Sequence, residues 1–168
     1  LSFIFIYVPV YIIQEHLGLE TVSYFLFAVM LPVLFLEYYF SRLADRVGYR
    51  NLFVVANILL ALLLILAFFV QNVYFLLFLF VLGSVGVAMV ESSSEAHFFL
   101  IAPKKRIQKY YSIFNTTLDV SSIIGKLAIA ITLVFLSFRY SFLIVGLFFL
   151  AIAFLATKVK EVSGTKVK

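Results

Sequence analysis

Apolar residues run along this chain in long blocks, broken by polar residues at a few places only. The blocks mark six candidate spans: 1 to 16, 21 to 40, 51 to 70, 73 to 98, 110 to 137 and 140 to 157. None shows the alternation of a half-buried strand, and runs such as Leu59 to Leu66 are continuously apolar. A helix needs about 20 mostly apolar residues to cross the hydrocarbon of a bilayer. Backbone facing lipid must pair its own polar groups, which leaves helices or closed barrels. Barrel strands would need alternating segments of about ten residues, so the pattern predicts an all-α, polytopic membrane protein with six transmembrane helices. Residues 1–160 are read as one bundle and 161–168 as a short polar tail. The first span opens at Leu1 without an initiator methionine, so it is read as a helix whose beginning is missing. A signal peptide is disfavoured, because there is no basic leader and no small-residue cleavage site near Glu15 and His16. Pro9 and Pro32 fall inside spans, where neighbouring helices tolerate the kinks they impose.

Composition agrees with a lipid setting: 65% of residues are hydrophobic, 12% are charged and mean hydropathy is +1.17. So few charges cannot cover a water-facing globule of this size.

Basic residues sit in alternate connections. Arg42, Arg46 and Arg50 lie between spans two and three, Lys104, Lys105, Arg106 and Lys109 between four and five, and Lys158, Lys160, Lys166 and Lys168 after six. The other connections carry only Arg139, with Glu15 and Glu20 in the first. The positive-inside rule therefore puts the basic loops and the C-terminus in the cytoplasm of a plasma or inner membrane. A missed or added helix would scatter these cations over both sides. The net charge of +5 is thus topology signal and lipid-headgroup affinity, and no nucleic-acid partner follows from it.

Spans three and six carry no acidic or basic residue and suit an outer, lipid-facing position. Spans four and five carry Glu91, Glu95, His97, Asp119 and Lys126. Intramembrane charges cost about 2.5 to 3.5 kcal/mol each on insertion scales and normally face protein or water. On span five, Ser112, Asn115, Thr116, Asp119, Ser122 and Lys126 recur at steps of three and four, along one helical face. Lys126 falls near the middle of the span, with Asp119 about 10 Å nearer the cytoplasm. Either this stripe lines a solute pathway or it is a helix–helix seam in which each charge finds a partner. On span four, Ser84, Ala88, Glu91 and Glu95 form a second stripe, with Gly83 and Gly86 open to close approach. Its acids are expected near the level of Asp119, and burial of two carboxylates at i, i+4 would let one carry a proton. Glu95 and His97 also fit a solvated interfacial position.

The connection Ser41-Arg42-Leu43-Ala44-Asp45-Arg46-Val47-Gly48-Tyr49-Arg50 is read as a cationic, turn-forming segment, with Gly48 supplying the turn. It resembles the loop between the second and third helices of each half in the major facilitator superfamily, roughly Gly-x-Leu-Ala-Asp-Arg-x-Gly-Arg-Arg. Leu43, Ala44, Asp45, Arg46, Gly48 and Arg50 fall on pattern, whereas Ser41 replaces the first glycine and Tyr49 a basic residue. Met89 to Phe99 is similar, more weakly, to the fourth-helix end of the second half in some bacterial members. The resemblance implies one six-helix half of a secondary transporter, by this layout the C-terminal half, with the third and sixth helices outermost. It implies alternating access around a solute held between two halves, with Asp45 in a gating latch of Ser41, Leu43, Asp45, Arg46, Gly48 and Arg50. It also implies that Tyr7, Tyr11 and Gln14 of the first helix line the solute cavity beside Glu91, Asp119, Ser122 and Lys126. Glu37 is a further candidate for the Asp45 network. The expected partners are a small-molecule solute, membrane lipid and a second six-helix half.

Without cysteine there is no thiol catalysis or thiolate metal site, and His16 and His97 lie on different spans. No phosphate-cradling glycine loop is present, and Ser93 with His97 is the one local pair a serine hydrolase could use. No cofactor and no enzymatic activity are expected. The alternative to transport is a membrane scaffold or assembly subunit whose polar stripes are seams.

Overall fold

The computed structural model describes residues 3–158, and no strand occurs among them. A π-helical turn, Phe3–Tyr7, leads into α1 (Val8–Gln14). Then follow α2 (Gly18–Val47), α3 (Tyr49–Phe69), α4 (Val73–Ile101), a 3-10 turn at Lys104–Arg106, α5 (Ile107–Phe135) and α6 (Phe138–Thr157). The expected tail at 161–168 lies outside the described residues, as do Lys160 and Leu1.

Five helices, α2 to α6, are long and apolar enough to cross a membrane. The apolar stretch Ile4–Gln14 is shorter, spanning about 17 Å of the ~30 Å hydrocarbon. The helix ends are set by local chemistry. His16 (φ 59) and Gly18 (φ 81) turn the chain from α1 into α2. Asn72 caps α4 by accepting the Phe75 N–H at 3.2 Å, and Ala102, extended before Pro103, ends it.

The largest departure from the expected layout is at residues 41–50, where the cationic segment is mostly helix and not a loop. Nothing between Ser41 and Val47 prevents helix formation, so α2 continues through it. Only Gly48 leaves helical geometry, at φ 96 and ψ 137. Its N–H closes α2 on the Ala44 carbonyl at 2.9 Å and its carbonyl opens α3 by accepting from Leu52 at 3.1 Å.

Three seams hold the bundle: α4 lies against α2 and against α3, and α3 lies against α6. Lipid tails are as apolar as leucine, so helices in a bilayer associate through close packing at small residues. Ala44, Ala56, Ala61, Ala67, Gly83, Gly86, Ala88, Gly146, Ala153 and Ala156 are the buried alanines and glycines among the described residues. A Cβ on Gly86 would stand 2.8 Å from Leu60 Cγ, and one on Gly146 would stand 3.3 Å from the Ala61 carbonyl oxygen. Several buried hydroxyls and amides turn back on their own helices: Asn57 Nδ2 donates to Phe53 O at 2.7 Å, Ser84 Oγ to Val81 O at 2.7 Å and Ser93 Oγ to Met89 O at 2.6 Å. The buried Ser141 hydroxyl, by contrast, has no hydrogen-bond partner among the described residues.

Charge content therefore predicts helix position only in part. α3 faces outward along Val55, Ile58, Leu62, Leu66 and Phe69, but Leu52, Ala56, Leu60, Ala61, Leu64 and Ala67 are buried. The upper part of the α4 stripe, Ser84 and Ala88, is buried within this bundle and does not wait for a companion. By contrast, no residue of α5 is buried.

Replacing Gly86 with alanine is expected to destabilise the bundle by about 1–3 kcal/mol through overpacking, with partial recovery on adding Leu60→Ala. Gly125→Ala, where nothing lies within 4 Å of the new Cβ, should be neutral or slightly stabilising. Thermal unfolding in detergent micelles reads both.

Candidate functional site

The basic residues gather at one end of the bundle, where α2 ends, α3 begins, α4 ends and α5 begins. Ring contacts between Tyr49 and His97 (6.1 Å) and between Phe98 and Tyr111 (5.8 Å) join these termini. Within the motif, Ala44 is fully buried among Phe40, Leu52, Ala56, Ala88 and Met89, with Leu43 packed against the same cluster. These two positions fix α2 on its neighbours, while Ser41 and Arg50 are half-buried and Asp45 and Arg46 exposed. Asp45 accepts a hydrogen bond from the Tyr49 hydroxyl across the Gly48 turn. The tyrosine that departs from the family pattern thus supplies a donor to the motif's acid. Arg42 covers the Tyr38 ring at 4.7 Å.

Just above this end, Glu37, Tyr38 and Ser41 of α2 face Ser92, Glu95 and Phe99 of α4 across an open groove of about 470 Å³. Glu37 belongs to this groove; no contact with Asp45 is present among the described residues. Glu37 and Glu95 both act electrostatically on the half-buried Glu91, so three carboxylates share the region.

The α4–α5 corner is an aromatic clamp that the sequence reading did not single out. Phe98 stacks on Phe114 at 4.7 Å, Phe99 stacks on Tyr111 at 5.6 Å, and the Tyr111 hydroxyl donates to Glu95 Oε1 at 3.3 Å. The i, i+3 spacing of Tyr111 and Phe114 was the available signal. The clamp also sets the levels of the intramembrane charges. The stacked pair Phe99 and Tyr111 lies eight residues from Glu91 on α4 and eight from Asp119 on α5, so both acids stand about 12 Å deeper by helix rise, at about the same level. Relative to the midpoint of α5, Asp119 lies about 3 Å toward the basic end and Lys126 about 7 Å beyond on the far side.

On the face of α5, Asp119 is exposed and Ser122 and Lys126 are half-buried. The chain brings Tyr7 to this turn: its hydroxyl donates to the Lys126 carbonyl at 2.7 Å. Tyr11 goes elsewhere. It is 5% exposed, packed within the core and stacked on Phe138 at 4.9 Å, with its hydroxyl interacting with Glu15 and Arg139. Gln14 is exposed at the end of α1 opposite the basic residues. The seven residues proposed for the pathway are thus split: Tyr7, Asp119, Ser122 and Lys126 lie along the α1–α5 side, Glu91 lies with the acidic groove, and Tyr11 and Gln14 lie at the far end of α1. Among the described residues, no three His, Asp or Glu side chains converge as metal ligands.

Packed apolar helices with large exposed hydrophobics, such as Phe35 at 75% and Val134 at 78%, define an integral, multi-pass helical membrane protein. A small-residue core and a polar face left uncovered are what a membrane transporter bundle requires. The family model described as Major Facilitator Superfamily matches residues 1–167, and the chain belongs to that family, whose members move solutes across membranes. No curated protein and no solved structure matches it.

Gly48 occupies a backbone region that L side chains rarely adopt. Gly48→Ala should therefore cost about 1–3 kcal/mol and separate Tyr49 from Asp45. A lowered unfolding temperature, with loss of the Tyr49–Asp45 contact in a high-resolution structure of the variant, is the expected result.

Proposed function

We propose that this chain forms one six-helix half of an alternating-access transporter whose solute is held between the α5 face and a second six-helix half. The observation that carries the proposal is α5 itself: a membrane-length helix with a polar stripe and two charges, none of whose residues is buried by the rest of the chain. Charges at that depth need water or protein beside them. A companion bundle with a solvated cavity between the halves supplies both.

In this arrangement Lys126 and Asp119 flank the midplane and meet polar or charged groups of the solute, with Ser122 between them. Tyr7 borders the same cavity from the π turn before α1, and Gln14 lies toward its far end, while Tyr11 supports α1 from within the core. Glu91, beside Glu37 and Glu95, is the group we assign to proton coupling, since three ionised carboxylates would repel and protonation of one relieves this. The basic end lies in the cytoplasm of a plasma or inner membrane by the positive-inside rule. There the Ser41 to Arg50 segment acts as the gating latch, with Asp45 changing partners between states.

A charge-assisted contact is worth about 1.5–3 kcal/mol, so Lys126→Ala should slow solute uptake about tenfold to hundredfold. Uptake or solute-evoked current in proteoliposomes, screened over a panel of small charged solutes, is the measurement. Unchanged transport by the variant would remove Lys126 from the site. Glu91→Gln should flatten the pH dependence of the same signal while leaving pH-independent exchange.

A further inference from the structure

Tyr7 is placed by a backbone irregularity that Pro9 explains. Proline has no N–H to give the carbonyl four residues back, and its ring crowds that carbonyl. The chain responds by widening into the π turn Phe3–Tyr7 immediately before α1. Such turns are rare and occur frequently at functional sites. This one ends at Tyr7, whose hydroxyl crosses to the middle of α5 and donates to the Lys126 carbonyl at 2.7 Å. A carbonyl has two lone pairs, so it can accept this bond without giving up its place in the α5 ladder.

What the bond does follows from how α5 is held. No residue of α5 is buried. At the basic end it is clamped by Phe98, Phe99 and the Tyr111–Glu95 hydrogen bond. At the other end it is joined to α6 through the extended residues Leu136 and Ser137. Between these anchors the Tyr7 bond lands on Lys126, the residue whose ammonium is proposed to meet the solute.

We infer that Tyr7 is a positioning residue for Lys126: its hydroxyl fixes the rotation and depth of α5 at that turn, and so where the lysine ammonium stands in the cavity. The inference rests on the proposed role of Lys126 for its functional meaning, while the latch itself is a separate physical claim.

These residues contain no cysteine, so labels can be introduced singly or in pairs. Spin labels at Val10→Cys and Ile131→Cys, both exposed positions, report the α1–α5 distance in liposomes by pulsed electron resonance. A pair at Leu62→Cys and Phe148→Cys, also exposed, reports the α3–α6 seam. Tyr7→Phe should broaden the first distribution and leave the second narrow, which shows that the fold is kept. With Lys126→Cys as the only thiol, an anionic methanethiosulfonate reagent should then react at a rate changed by about fivefold or more, the shift expected on losing one neutral hydrogen bond. Lys126→Ala keeps the backbone carbonyl and should leave the α1–α5 distribution narrow. An unchanged α1–α5 distribution and labelling rate in Tyr7→Phe would overturn the inference and leave the role of Lys126 standing. Equal broadening by Lys126→Ala would also overturn it, because the side chain and not the carbonyl would then hold the helix. Full transport by Lys126→Ala beside a loosened Tyr7→Phe would instead sink the solute role and, with it, the functional meaning of the latch.

Discussion

Hydrocarbon offers no partner for a polar group, and the molecule is organised around that deficit. Peptide groups turn inward to form helices, and Ser84, Ser92, Ser93 and Asn57 turn back on their own helices. Arginines are kept at the bilayer edge, where Arg42 lies over Tyr38. Apolar surface gains nothing by leaving lipid for protein, so cohesion depends on how closely backbones approach. Gly86 against Leu60 and Gly146 against the Ala61 carbonyl mark where removing a methyl group lets two helices meet.

This division produces two kinds of helix within one bundle. α2, α3, α4 and α6 share seams of alanine, glycine and serine and form a frame. α5 contributes no buried residue and meets the frame through an aromatic clamp at one end and, near its middle, the Tyr7 hydroxyl. Its polar stripe is the surface that the frame leaves uncovered.

The basic end shows how one short segment serves two ends. Ala44 and Leu43 pack into the frame, while Asp45 and Arg46, their neighbours on the same helical turns, stay exposed. Gly48 separates the two helices with one residue, and the tyrosine that follows reaches back to Asp45. Strain-free reversal at a glycine keeps both helices in register with the α4 terminus, where Tyr49 meets His97.

Much of this was readable from residue order. Apolar runs of membrane length give the helices α2 to α6, and the spacing of Ser112 to Lys126 places the α5 stripe on one face, because hydropathy and helical period are local properties. The family resemblance at residues 41–50 agrees with the family match, although α2 runs through most of that segment, since a charged helix end looks like a loop when only hydropathy is read. What only the tertiary structure decided is who covers whom. Ser84 and Ala88 are buried within the bundle, Tyr11 belongs to the core, and Tyr7 reaches Lys126 from 119 residues away. Each depends on the relative height and rotation of separate helices. Those are fixed by packing of small residues and rings across seams, which no single segment contains.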